Sequence, residues 1–320
     1  MTATSDDAAG RRRGVAGVAL TLALAATAGT ARPAGAQETE TIDETRRVTR
    51  DVSVEIDVPV RSVRVRGWDR EELRVRGEYL PRREELEIEG GSASVEISLD
   101  VSGRRWGGDV EVPGELDVSV PRGARLSVEV QAGAIDVEGV HGDVSLETVS
   151  GDVTYAGEAS SVGLGSVSGS VTAEAPGATT TRAESVSGDV RVAVAGGLVD
   201  VEAVSGDVDV RASGTLTRLQ VESVSGRIRV DAAPAANASF ALESHSGAVE
   251  LGLPADLDAV LEAGTFSGVI RNAFGQEARR TDRYTPGMEL RQTVGAGSAR
   301  ISVETFSGGI DFSRRDGGAS

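Results

Sequence analysis

Along VDVEAVSGDVDV (Val199–Val210), Val199, Val201 and Ala203 alternate with polar residues, and Val204, Gly206, Val208 and Val210 alternate again one position out of step. Period-two alternation is the mark of a strand with one buried face. A one-residue slip would send every later side chain to the opposite face, so it signals a bend, and a glycine among small residues is the chemistry a bend uses. The same frame fits Thr181–Val192, Leu219–Val230, Phe240–Leu251 and Ile301–Phe312. Each segment is expected to form two short strands around a corner, followed by a looser return such as AVAGGL (Ala193–Leu198) or AAPAANAS (Ala232–Ser239).

The corner recurs as Ser150-Gly151, Ser168-Gly169, Ser187-Gly188, Ser205-Gly206, Ser225-Gly226, Ser246-Gly247, Ser267-Gly268 and Ser307-Gly308. Successive glycines lie 18, 19, 18, 20, 21, 21 and 40 residues apart, the last gap being two periods. Such self-similarity points to a stacked array, because one unit cannot bury its own apolar face and needs a copy above and below. The predicted fold is all-β, a β-solenoid whose coils are about 20 residues long. Stacking in register is expected to put Val186, Val204, Val224, His245 and Phe266 in one inward ladder. A closed β-sandwich of hairpins is the alternative, but it gives no reason for a constant corner. Strand patterns also fill residues 46–125 without the strict repeat, so residues 37–125 are expected to be an N-terminal β-rich cap or degenerate coils. Residues 126–312 are then the solenoid, with an exposed loop between Phe274 and Val294 and a flexible tail over 313–320.

The first 36 residues read differently. Arg11, Arg12 and Arg13 precede the apolar run GVAGVALTLALAATAG, and Ala34-Gly35-Ala36 supplies small residues before Gln37. That order predicts a secretory signal peptide over 1–36, since the run is shorter than the ~20 residues of a membrane span. No transmembrane segment is expected after its cleavage, and the product is exported to the periplasm, the cell surface or the medium. Removing it leaves 29 basic and 48 acidic residues, a net charge of −19. Nucleic acid is excluded as a partner on that balance, because no basic stripe exists to neutralise phosphates.

Few residues offer site chemistry. There is no cysteine and only two histidines, His141 and His245. No catalytic, metal-binding or cofactor-binding residue is predicted. Glycine-aspartate calcium coils need an acid in every turn. Here the residues after the corner glycines are Asp152, Ser170, Asp189, Asp207, Arg227, Ala248, Val269 and Gly309, three aspartates in eight. Two rows stand out instead. The corner serines read as hydroxyls capping bent backbone. Three places ahead of them, Glu184, Glu202, Glu222 and Glu243 form an outward row on consecutive coils, a candidate surface for a ligand or a cation. Like charges directly opposite are destabilising in a sheet, and Arg191 and Arg229 are the arginines expected to relieve them.

The run of SVSGDV phrases, with GARLSVEVQAGAIDVEG leading into it, resembles the bacterial β-strand-repeat proteins usually labelled putative adhesins, a domain family of unknown function. The resemblance covers roughly Val48 to Phe312 and implies a repeat fold with no catalytic motif. The function expected is that of an exported, non-enzymatic β-solenoid, an envelope-associated adhesion or scaffold module whose partner is an envelope protein or glycan. The alternatives are a carbohydrate-active solenoid enzyme and a periplasmic sensor domain binding an envelope ligand. Acids and arginines clustered in one groove would favour the enzyme, and a single deep pocket the sensor.

Overall fold

Valine, isoleucine, leucine and alanine at every second position give the strands one apolar face, and the faces of stacked strands build the core. The computed structural model describes residues 40–79, 84–101, 114–281 and 286–315. The segment 1–36, read as a signal peptide, and the last five residues of the expected tail lie outside the described residues. The described chain is all-β and forms a β-solenoid with two parallel sheets. Sheet I contains the strands before each corner, among them Val144–Ser150, Ser161–Ser168, Thr180–Ser187 and Gly197–Ser205, paired in parallel and in register. Sheet II contains those after it, Val153–Ala156, Val171–Ala175 and Val190–Val194, paired in the same way. The long strands Val208–Ser225 and Ile228–Ser246 pass from sheet II of one coil into sheet I of the next.

Inward side chains run in columns along the stack. In one coil Val199, Val201 and Ala203 face in from sheet I, and Val208 and Val210 meet them from sheet II. The phase change therefore spans four residues, 204–207, that stay outside the core. Val186, Val204, Val224, His245 and Phe266 do not point inward as the alternation predicts. Val186 is 46% exposed, Val204 43%, Val224 50% and Phe266 51%, and His245 is exposed as well. The last inward place before the corner belongs instead to Thr148, Ser166, Ser185, Ala203, Ser223, Ser244, Thr305 or Thr265.

Both ends depart from sequential stacking. The coil of Ser53–Asp57 and Ser62–Trp68 lies between Ser94–Val101 with Glu115–Pro121 on one side and Arg125–Ala132 with Ala134–Glu138 on the other. At the other end Ala299–Ser307 pairs with Ile228–Ser246 on one side and Ala259–Ser267 on the other. The last coil is thus inserted beneath its predecessor, and its final strand, Ile310–Arg315, continues into the segment read as a tail. Antiparallel strands cover the outer edges. Glu84–Gly90 covers Ser94–Val101, Glu72–Tyr79 covers Glu115–Pro121, and Met288–Val294 covers Ala259–Ser267. Met288–Val294, within the stretch read as an exposed loop, is therefore a cap strand that covers the sheet I edge a parallel stack would expose.

The corner glycines set the spacing. A Cβ built on Gly206 would overlap the carbonyl of Gly188, and one on Gly226 the carbonyl of Gly206. Their φ angles, 132° and 123°, add a strain that only glycine escapes. Gly206→Ala is expected to cost about 2–3 kcal/mol. Gly165→Ala, where the nearest atom is Glu147 Cγ at 3.8 Å and φ is ordinary, should stay within about 0.5 kcal/mol. Urea unfolding midpoints of the two variants check this, and equal shifts would contradict the corner's role.

Tyr155 is the largest fully buried side chain. Its hydroxyl donates to the Val140 carbonyl at 2.7 Å and accepts the Ala159 N–H at 2.8 Å, tying a return loop to the core. Burial holds its phenol above the usual value. A raised folded pKa means that the folded state keeps the proton longer, so this stability is present below about pH 10 and falls as pH rises beyond it. Tyr155→Phe should lose about 1–2 kcal/mol at pH 7 and show a shallower alkaline decline, as measured by unfolding midpoints from pH 8 to 11.

Candidate binding face

The repeated phrase is a hydrogen-bonding cassette. Every corner glycine except Gly268, and Gly133 before them, donates its N–H to the carbonyl of the corner serine in the neighbouring coil, from 2.7 Å for Gly133→Ser150 to 3.3 Å for Gly206→Ser225. In four coils the inward hydroxyl two residues before the corner serine donates back to a glycine carbonyl, whereas Ser223 donates to the Ser225 carbonyl and the buried hydroxyls of Ser244 and Thr305 find no partner among the described residues. Thr148 reaches Gly133 at 3.1 Å, Ser166 reaches Gly151 at 2.9 Å, Ser185 reaches Gly169 at 3.1 Å, and Thr265 reaches Gly308 at 3.1 Å. Where the next residue is aspartate, its carboxylate accepts an N–H from the following coil: Ser170 to Asp152 at 2.8 Å, Asp207 to Asp189 at 3.0 Å, and Arg227 to Asp207 at 2.8 Å. The corner serines lend the ladder their carbonyls, whereas their side chains stand outside. Ser150, Ser168, Ser187, Ser205, Ser246, Ser267 and Ser307 are exposed and Ser225 is half-buried. Only Ser205 and Ser225 pair their hydroxyls, at 3.5 Å, and Ser225 also donates to the Val204 carbonyl at 3.2 Å.

With the inward positions filled, the outer face of sheet I carries two parallel tracks. The first holds Glu184, Glu202, Glu222 and Glu243 as register partners, followed by Glu304, Gly264 and Glu289. In the other direction it continues through Gly165, Glu147, Glu129 and Asp57. Glu129 and Asp57 escape a search for the Ser-Gly phrase because their strand or corner lacks it. Gly133, 18 residues before Gly151, is the signal that could have found Glu129. Arg182 pairs with Glu184 and, at 3.1 Å, with Glu202, and Gln220 donates to Glu222 at 2.8 Å. The two arginines expected to relieve the row stand elsewhere, Arg191 on Asp189 at 2.7 Å and Arg229 on Glu250 at 2.8 Å, both on sheet II. Among the described residues no group of three or more His, Asp or Glu side chains is placed to hold a metal ion.

The second track is the ridge of Val149, Val167, Val186, Val204, Val224, His245, Phe306 and Phe266. Phe306, from the inserted coil, separates His245 from Phe266. The three rings stack nearly parallel, His245 on Phe306 at 5.2 Å and 3°, and Phe266 on Phe306 at 5.0 Å and 5°. Ridge and row border an open groove of about 1360 Å³, with Thr281, Gly287, Met288 and Glu289 of the cap strands at one end.

A family model matches the chain twice, over residues 84–198 and 196–313, more than half of its length. The chain belongs to the Toastrack DUF4097 family. The Toastrack chain matches no curated protein. Among solved structures it is similar to a putative cell adhesion protein from Clostridium sporogenes, 12% identical, covering 86% of this chain and 100% of that one with a TM-score of 0.24. A putative adhesin from Bacteroides fragilis is 11% identical, with coverage of 86% and 98% and a TM-score of 0.40. Another, from Parabacteroides distasonis, is 8% identical, with coverage of 86% and 98% and a TM-score of 0.31.

The two kinds of serine in the Toastrack phrase can be told apart by mutation. Ser185→Ala leaves the Gly169 carbonyl without its hydroxyl donor and should cost about 1 kcal/mol. Ser187→Ala removes an exposed hydroxyl and should stay within about 0.5 kcal/mol. Thermal unfolding of the two variants checks the difference.

Proposed function

We propose that the protein is an exported, non-enzymatic adhesion or scaffold module of the cell envelope that works through the outer face of sheet I. One observation carries this reading. The large apolar side chains exposed among the described residues are Val149, Val167, Val186, Val204, Val224, Phe266, Val269 and Phe306, and all of them border the corner. Scattered exposed valines need no explanation, but a contiguous apolar strip rimmed by charge marks an interaction surface. Export rests on the signal-peptide pattern of residues 1–36. Among the described residues no helix is long and apolar enough to cross a membrane.

Hydrolysis of a glycosidic bond requires two carboxylates in unlike environments, one held protonated as an acid and one ionised. The glutamates of this row are exposed or half-buried on one open face, and none is enclosed in the apolar surroundings that hold a carboxylic acid protonated, which favours the scaffold over the enzyme. The open groove, running across many coils, likewise disfavours a sensor with one deep site.

The test compares wild type with the triple variant Val204→Ser, Val224→Ser, Phe306→Ser, all at exposed positions. Binding to purified envelope fractions should fall at least tenfold while circular dichroism and Tm stay close to wild type. Neither protein should release reducing ends from envelope polysaccharides. Unchanged envelope binding by the variant, or polysaccharide turnover by the wild type, would overturn the proposal.

A further inference from the structure

The ridge and the carboxylate row follow one another two residues apart on the same strands, so the tracks run side by side about 7 Å apart, and each advances about 4.8 Å per coil. We propose that together they form a trough for a basic amphipathic α-helix of about 20 residues; this rests on the reading of the face as an interaction surface. From Val149 to Phe266 the ridge crosses eight rungs, about 34 Å, which a helix of about 22 residues spans at 1.5 Å per residue.

Charge selects the sign of the partner. Among the described residues Glu147, Glu243 and Glu304 have no cationic side chain within ion-pairing distance, while Arg182 serves only Glu184 and Glu202. A second copy of this face, nucleic acid or an anionic lipid surface would meet a line of like charge. Lysine or arginine would meet a carboxylate on nearly every rung.

Packing selects the shape. Phe306 has both ring faces covered by His245 and Phe266, so the middle of the aromatic stack offers a ring edge, and the rest of the ridge mostly valine methyls, rather than a broad aromatic platform on which a sugar could stack. An extended peptide on this surface would leave its own N–H and C=O groups unpaired, because the sheet's backbone groups are already used within the stack and only edges add strands. A helix satisfies its backbone internally. Its turn of 5.4 Å also lies nearer the 4.8 Å rung than the two-residue step of an extended chain, about 6.7 Å. An apolar stripe on the ridge would therefore set an adjacent basic stripe over the glutamates.

The probe is a labelled 22-residue peptide with leucine on one helical stripe and lysine on its flanks, followed by fluorescence anisotropy and circular dichroism. It should bind with a gain of helix and weaken steeply with salt. Phe266→Ser with Phe306→Ser, or Glu222→Gln with Glu243→Gln, should weaken it tenfold or more. Glu174→Gln with Asp256→Asn, the same loss of charge off the trough, should change it less than twofold. Equal weakening by the off-trough pair would reduce the effect to net charge and overturn the proposal. So would equal binding of a leucine–glutamate peptide, or of a proline-interrupted version that cannot form the helix. If envelope binding depends on the ridge while the leucine–lysine peptide fails to bind, the adhesive face stands and this partner class falls. If the peptide binds but envelope binding ignores the ridge, the trough stands and the envelope role falls.

Discussion

Each corner glycine lies over the carbonyl of the one beneath it, so closely that a single Cβ at Gly206 would overlap Gly188. That approach fixes the registry of everything else. With the corners held in line by glycine N–H to serine carbonyl bonds, the strand segments beside them stack in register, the shifts falling in the return segments, and like residues fall on like residues along much of the axis. Apolar columns then close the core with side chains as small as valine and alanine, because each is covered above and below by its own counterpart. Registry that makes the core efficient also lines up the outer face, where repetition turns a single glutamate into a row and a single valine into a ridge.

Much of this was legible in the sequence, because period-two alternation and a recurring glycine are local signals with direct physical meaning. Glu184, Glu202, Glu222 and Glu243 were placed on one row from spacing alone, and their strands pair in that register. The direction of the ridge was not legible. Val204 is apolar and in step with Val208 and Val210, and binary patterning assigns such a residue to the core. Its place inside is filled by Ala203, and by Ser185, Ser223 or Ser244 in other coils, polar residues that pattern reading turns outward. Burial of Ser166 and Ser185 is acceptable because their hydroxyls find a glycine carbonyl. That partner belongs to another coil and leaves no trace in the local sequence.

The order of the terminal coils was hidden for a related reason. Spacing identifies a coil but not its neighbours, since every corner is compatible with every other. Phe306 shows the effect: last of the ridge residues in sequence, it lies between His245 and Phe266 in space, and without it the stack of rings would be broken. Glu304 fills the corresponding gap in the row between Glu243 and Gly264.

That inserted coil also bears on how the molecule is made. A simple solenoid can add coils in the order in which they leave the ribosome, each new strand pairing with the last. Here Ala259–Ser267 does not stack on Ile228–Ser246, the sheet I strand before it in sequence, because Ala299–Ser307 lies between them. Ala259–Ser267 therefore joins the stack only through Ala299–Ser307, which follows it in the chain. A chain cut before Ala299 would lack the wedge that joins Ala259–Ser267 and its antiparallel cap to the rest. In a repetitive sequence whose coils could pair in many orders, the wedge makes docking of the capped end depend on a coil that comes later in the chain.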